Sequence, residues 1–334
     1  MTENNLAVVV LAAGQGTRMK SRLPKVLHRI SGRPLVGHVL TTATRLHPSH
    51  IEVVVRHERD QVVSALREDY PDAVFVDQDD VPGTGRAVQV AVDALPADFD
   101  GDVLVLSGDC PLADAETLST FLAEHRASGA PATLMTALVD DPTGYGRVIR
   151  DADGTVDRIV EQKDATTEEA AVSEINAGMY VFRAATLRTY LPKIGVDNAQ
   201  GEMYLTDVPG LVRRDGDRVA ASIVSDVEVT FGVNDRAQLA EVGRRLNARI
   251  VRRWQLEGVT IVDPATTWID DDATLAPDVT ILPNTQILRA TTIAAGATIG
   301  PDTTLVDCEV GEDAVVRRTD ATLAVIGAEA TVGP

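Results

Sequence analysis

The sequence predicts an α/β domain built on a largely parallel sheet, followed by a short parallel β-helix, and three observations carry that reading. Short apolar runs alternate with helix-like stretches over the first two thirds of the chain. One amphipathic helix follows, with Leu239, Val242, Leu246, Ile250 and Trp254 at steps of three or four. Beyond Gly258, Ile269, Leu275, Ile281, Ile287, Ile293, Ile299 and Leu305 recur at intervals of six, each with a small or β-branched residue two positions earlier. Neither a helix nor an ordinary hairpin has that period, whereas a β-helix of hexapeptides does.

Taken in order, LAVVVL (6–11) is the first buried strand, and IEVVV at 51, AVFV at 73, DVLVLS at 102, ATLMTALV at 132 and MYVF at 179 read as further strands. RDQVVSALRED and AETLSTFLAEHRAS read as helices that cover them. The division this predicts is a domain over 1–235, a connecting helix over 236–257 and a hexapeptide β-helix over 258–334. The last repeat reaches Pro334 without a polar cap, so the β-helix is expected to be truncated or capped by a partner.

With 334 residues, 44% of them apolar, the chain can bury one large or two medium cores. Its two cysteines, Cys110 and Cys308, form neither a disulfide framework nor a metal-ligand spacing, which fits a reducing, cytoplasmic setting. Neither has a histidine neighbour in sequence, and both read as packing residues. The N-terminus has no basic leader, and its apolar run is too short to cross a membrane. A net charge of -19 argues against a nucleic-acid surface, which needs a basic face.

Against that background one segment stands out. From Asn4 to His50 there is no Asp or Glu, while Arg18, Lys20, Arg22, Lys25, Arg29, Arg33 and Arg45 are all basic. Inside it, AAGQGT follows the first strand, so glycines fall where the backbone turns sharply and its N–H groups can face an anion. This is a phosphate cradle, yet it is no Walker A loop, since no Gly-Lys-Ser/Thr follows, and no dinucleotide fingerprint, since Met19 stands at the third glycine's place. Arg18 and Lys25 can bring mobile cations to the same phosphates.

Ligands of open α/β sheets sit beyond the carboxyl ends of the strands, which directs attention to three further places. Asp109, after DVLVLS, either holds a hard divalent cation through oxygen or only ties its turn. Gln78 and the Gly83-Thr84-Gly85 turn form either a ligand contact or a glycine turn with a helix cap. Asn234, before the long helix, is either a metal ligand or an N-cap.

Read together, LAAGQGTRM-(x)5-KVLH, Q-(x)4-GTG, SGDCPL, GYGR, VEQKDAT, EINAGMYVF, NAQGEMYLTD and GVN, followed by hexapeptides, resemble the bifunctional bacterial N-acetylglucosamine-1-phosphate uridylyltransferase/glucosamine-1-phosphate acetyltransferase family over essentially the whole chain. The resemblance implies a Rossmann-like nucleotidyltransferase domain and a left-handed β-helix. It implies a Mg²⁺-dependent enzyme that makes UDP-N-acetylglucosamine and pyrophosphate from UTP and N-acetylglucosamine-1-phosphate, as a homotrimer joined through the β-helix.

It also implies roles: Leu11, Ala12, Ala13 and Gly14 line the nucleotide, and Gln78, Gly83 and Thr84 read the uracil edge. Arg18 and Lys25 bind the phosphates and act catalytically, and Asp109 and Asn234 ligate Mg²⁺. Gly146, Glu161, Asn176, Tyr204 and Thr206 hold the amino sugar. Acetyl transfer is expected to be absent, because the residues for it lie in coils beyond the point matching Pro334. Two departures, Arg86 for the usual His and Pro82 for the usual Leu, fall beside the base. The remaining alternatives are a related enzyme using dTTP or ATP, or a non-catalytic regulatory subunit of the same fold.

Overall fold

In the computed structural model, which describes residues 5–334, the apolar run Leu6–Leu11 forms strand β1 at the middle of a nine-stranded sheet. The other strands are β2 (His50–Val55), β3 (Ala73–Asp77), β4 (Asp102–Ser107), β5 (Ala132–Leu138), β6 (Arg147–Arg150), β7 (Val156–Val160), β8 (Glu174–Arg183) and β9 (Val219–Ile223). The main path runs β9-β5-β8-β4-β1-β2-β3. The pairs β4-β1, β1-β2, β2-β3 and β9-β5 are parallel, while β8 is antiparallel to both β4 and β5. The hairpin β6-β7 attaches through Arg147 opposite Ile175 of β8.

The helices are α1 (Leu35–Thr44), α2 (Arg59–Leu66), α3 (Thr84–Ala94), α4 (Ala115–Ser128), α5 (Thr167–Ala170), α6 (Ala184–Tyr190), α7 (Asp207–Arg214) and α8 (Arg236–Leu256). They explain why β1 reads as an unbroken apolar run. Val8 and Val10 face a core with Val36 and Leu40 of α1 and Phe121 of α4. Ala7 and Val9 face the opposite core, with Val88 of α3, Leu187 of α6 and Val208 of α7. A strand of a parallel sheet covered on both faces has no polar side to show.

Glu52 interrupts this pattern. It pairs with Val9 in the middle of the sheet, is 2% exposed, and its Oε2 has no hydrogen-bond partner. Burial pushes its carboxyl up to about 7. The folded state therefore holds a proton that the unfolded chain releases near pH 4.5, and stability falls as pH rises through the window from 4.5 to about 7. Glu52→Gln, which cannot ionise, is expected to be more stable than the parent near pH 8 by on the order of 3 kcal/mol. Below about pH 5 the two should melt within about a degree of each other, and the same small gap at pH 8 would show that Glu52 is not buried neutral.

The chain divides into two units, the first of residues up to His28 with Leu35–Asp235, the second of Arg29–Pro34 with Arg236–Pro334. The short segment Arg29–Pro34 falls, by sequence order, within the first domain, yet it groups with the second unit. Its Ser31 carbonyl accepts from Asp271 N–H at 3.1 Å, and Arg33 forks onto the Asp272 carboxylate.

In the second unit short strands stack into three parallel sheets, the sides of a left-handed parallel β-helix. The hexad residues form its interior: Ile281, Ile287, Ile299 and Leu305 are 0% exposed. The residues two positions earlier are buried as well, and the threonines among them spend their hydroxyls on corner carbonyls, Thr285 on Leu282 and Thr291 on Leu288, both at 2.7 Å. After Leu305 the interval of six shortens, and the register shows why: Val310 stacks on Ile293 and Ala321 on Leu305, so later coils have tighter corners. In α8 the buried stripe holds Val242, Ile250 and Trp254, as its periodicity predicts. It also holds Asn247, whose amide donates to Thr267 O at 2.8 Å and accepts from Ile269 N–H at 3.0 Å. That pairing supplies the first coil with the backbone partners that a preceding strand would otherwise give.

Candidate active site

The carboxyl ends of β1, β2 and β4 open onto one cavity of about 390 Å³. Its wall includes Leu11, Ala13, Gly14, Lys25, Gln78, Gly83, Thr84 and Asp109, so most of the nucleotide and metal residues expected from the sequence meet there. Ala12 is buried beneath, its N–H bonded to Val54 O at 2.9 Å. Arg18 stands exposed on the 3-10 turn Thr17–Met19, outside the cavity wall. Ser107, Gln15, Arg56 and Glu202 also line the cavity and were not singled out. Arg56 directly follows the apolar strand β2, so the strand-end rule could have found it. Glu202 gave no such signal.

The cradle is built by two local choices. Gly16 adopts the left-handed conformation, φ +62°, and a Cβ there would lie 2.5 Å from Cβ of Lys25, so glycine lets the lysine stem pass. Among the described residues, the N–H groups of Ala13, Gly14, Gln15 and Gly16 make no backbone hydrogen bond and remain available to an anion.

Lys25 itself is aimed by two oxygens. Its ammonium pairs with Oδ2 of Asp109 and lies 3.3 Å from Oδ1 of Asn234. Gly108 N–H donates to Leu11 O at 2.9 Å, which seats the end of β4 against β1 and presents Asp109 to the cavity. Val233 N–H donates to Asp109 O at 3.0 Å, which carries Asn234 to the same point from far along the chain. Burial alone would raise the Asp109 carboxyl. The Lys25 ammonium, with hydrogen bonds from Ser107 Oγ (2.6 Å) and Cys110 Sγ (3.6 Å), outweighs burial and holds it below the usual carboxylate range.

Asp109 and Asn234 thus offer two convergent hard oxygens, already gathered round a cation. Among the described residues no group of three or more His, Cys, Asp or Glu could enclose a metal. That donor set fits Mg²⁺, which takes one or two protein oxygens and completes its shell with water and substrate phosphates.

The expected sugar residues lie outside the cavity wall, as two hydrogen-bonded pairs and a tyrosine bonded elsewhere. Thr206 donates to Oε1 of Glu161 at 3.0 Å, and Asn176 N–H donates to Gly146 O at 2.9 Å. The Asn176 amide donates to Tyr180 OH at 2.6 Å and accepts from Gly178 N–H at 3.2 Å. Burial pushes the Glu161 carboxyl up; the Thr206 hydroxyl opposes it, while Asp164, Asp207 and Glu202 add to it. Tyr204, whose hydroxyl accepts from Gln200 at 2.8 Å, is likewise raised by burial and lies within the field of Glu161. The 203–205 stretch is tied to the 82–85 loop by Met203 N–H to Pro82 O (2.9 Å), Gly85 N–H to Met203 O (2.8 Å) and Leu205 N–H to Thr84 Oγ1 (3.1 Å).

Comparison with known proteins gives a consistent result. The profile of the MobA-like NTP transferase domain matches residues 8–189. The chain is 62% identical over 330 residues to the bifunctional protein GlmU of Clavibacter sepedonicus, covering 99% of the chain and 67% of that relative. It is 60% identical over 334 residues to the protein of the same name from Leifsonia xyli subsp. xyli, covering 100% of the chain and 69% of that relative. The chain therefore spans about two thirds of the length of these relatives. A crystal structure from Bacillus anthracis, assigned as a glucose-1-phosphate thymidylyltransferase, superposes with a TM-score of 0.58 at 19% identity, over 71% of this chain and 94% of that one. At that identity the likeness bears on the fold alone.

Proposed function

The chain belongs to the family of bifunctional GlmU proteins, with an NTP transferase domain, and from that membership we propose that it makes UDP-N-acetylglucosamine and pyrophosphate from UTP and N-acetylglucosamine-1-phosphate. The observation that carries this reading is the convergence of Lys25, Asp109 and Asn234 at the mouth of a glycine-rich cradle. Cations and free amides gathered at one place suit the meeting of two polyanions.

In the reaction a phosphate oxygen of the sugar phosphate bonds to the α-phosphorus of UTP while the bond to the bridging oxygen breaks and pyrophosphate leaves. The attacking monoester is already anionic near neutral pH, so no strong base is needed. The obstacle is charge. Lys25, oriented by Asp109 and Asn234, meets the phosphates with a fixed cation, and the Gly14 to Gly16 amide N–H groups donate to the phosphate oxygens. Arg18, on its exposed turn, is free to close on them from outside. Mg²⁺ bound at Asp109 and Asn234 would neutralise charge on the transferring and leaving phosphates. Gln78, Gly83 and Thr84 hold the base, and Gly146, Glu161, Asn176, Tyr204 and Thr206 hold the sugar.

The same membership supports a homotrimer joined through the β-helix and action in the cytoplasm. Among the described residues no helix is long and apolar enough to cross a membrane.

The test is pyrophosphate release with and without Mg²⁺, pairing UTP, dTTP or ATP with N-acetylglucosamine-1-phosphate or glucose-1-phosphate. Release confined to Mg²⁺, UTP and the N-acetylated sugar is expected. Preference for dTTP or ATP would move the assignment to a related pyrophosphorylase, and silence with every pair would leave a non-catalytic subunit.

A further inference from the structure

The loop between Gln78 and α3 is held by a side chain that the reaction does not use. Arg86, on the first turn of α3, forks onto the carboxylate of Asp79: Nη2 lies 2.6 Å from Oδ2, and Nε lies 3.1 and 3.2 Å from the two oxygens. Its Nη1 donates to Gln89 Oε1 at 2.8 Å, which fixes the guanidinium against its own helix. Oδ1 of Asp79 in turn accepts from Val81 N–H at 3.1 Å. The residue so fastened supplies Val81 O, which, with Gly83 O, accepts from Nε2 of Gln78 at 2.9 and 3.2 Å. Two carbonyl acceptors leave the Gln78 amide only one orientation, with nitrogen toward the loop. Its Oε1 has no partner within the described protein, on a side chain that lines the cavity.

We propose that Arg86 is a positioning residue for base selection, acting through Asp79 and Val81 to keep Oε1 of Gln78 turned outward as a hydrogen-bond acceptor. An acceptor at that point favours a base that offers a ring N–H, as uracil does, over cytosine, whose corresponding ring nitrogen is itself an acceptor. Bidentate geometry matters here: a lysine could keep the charge but not the fork that stops Asp79 from turning. The inference rests on the proposed uridylyl transfer, since it assigns Gln78 to the base.

The experiment compares the parent with Arg86→Ala, Arg86→Lys, Asp79→Ala and the double alanine variant in steady-state turnover of UTP and CTP, with melting temperatures alongside. Arg86→Ala and Asp79→Ala are each expected to lower the UTP-over-CTP ratio of kcat/KM about tenfold and to raise KM for UTP. KM for the sugar phosphate should hold within about twofold, and the double variant should lose no more than either single one, as members of one chain of contacts do. Arg86→Lys should recover only part of the ratio. An unchanged ratio in a folded Arg86→Ala, or additive losses in the double variant, would overturn the role of Arg86 while leaving uridylyl transfer intact. If Arg86→Ala does not fold, Asp79→Ala decides the matter by the same ratio. No UTP turnover by the parent would overturn both readings together.

Discussion

Asp109→Asn is expected to lower kcat by about a hundredfold to a thousandfold, and Lys25→Ala to do the same, while each variant still folds. The size follows from what Asp109 does in the structure. Its Oδ2 holds the Lys25 ammonium, its Oδ1 is fixed by Ser107 and Cys110, and its backbone carbonyl tethers the segment that brings Asn234. The asparagine keeps the shape and the backbone tether but loses the charge that holds the ammonium and would hold a divalent cation. Lys25→Ala instead removes the fixed cation at the cavity wall that pairs with the Asp109 carboxylate. Steady-state pyrophosphate release at saturating substrate gives kcat, and the melting temperature controls for folding. For a chain of this size a loss of about 1–2 kcal/mol corresponds to only a few degrees. Turnover within about threefold of the parent in either variant would remove these residues from the reaction.

How much of this was legible in the sequence depends on the range over which each feature is encoded. The run Leu6–Leu11 reads as a doubly covered strand because both its faces are apolar, and the structure buries it in two cores. The hexad positions are legible because each coil repeats the same local demand: one apolar residue inward, with a small or β-branched residue before it. Glu52 shows the opposite case. Within IEVVV it looks like the polar edge of a strand, and only the placement of β2 between β1 and β3 buries it.

Links between distant segments left no local trace. Nothing near Val233 says that its N–H will bond to Asp109, and nothing near Pro82 says that it will pair with Met203. Such bonds join one backbone to another, which any residue but proline can donate, so composition does not reveal them. The glycine-rich loop stands out in the sequence by its glycines and cations, yet Arg18 stands exposed on its turn outside the cavity wall while Lys25 is drawn in. Only the carboxylate at Asp109 and the room left by Gly16 separate the fates of these two cations.

The second large effect is expected at Gly83, where the same kind of hidden contact decides the outcome. Gly83 has φ +117° and ψ 157°, a region essentially closed to residues with a side chain. Any Cβ placed there would also run into the backbone of Met203, with the carbonyl oxygen as its nearest neighbour and the amide nitrogen next. Both atoms are already committed, Met203 N–H to Pro82 O and Met203 O to Gly85 N–H. Alanine can therefore be accommodated only by parting the 82–85 loop from the 203–205 stretch, which breaks two backbone hydrogen bonds as well as straining the turn. The cost should be about 3–5 kcal/mol, from about 1–3 for the backbone conformation and about 1 for each hydrogen bond lost. Because that stretch leads directly to Tyr204 and Thr206, the damage should reach both substrates. KM should rise for UTP and for the sugar phosphate alike, unlike the nucleotide-only effect expected at Arg86. Denaturant unfolding of Gly83→Ala checks the first part and paired KM values the second. A variant as stable as the parent would mean that the turn can adopt an ordinary conformation, and that its glycine serves only to admit the base.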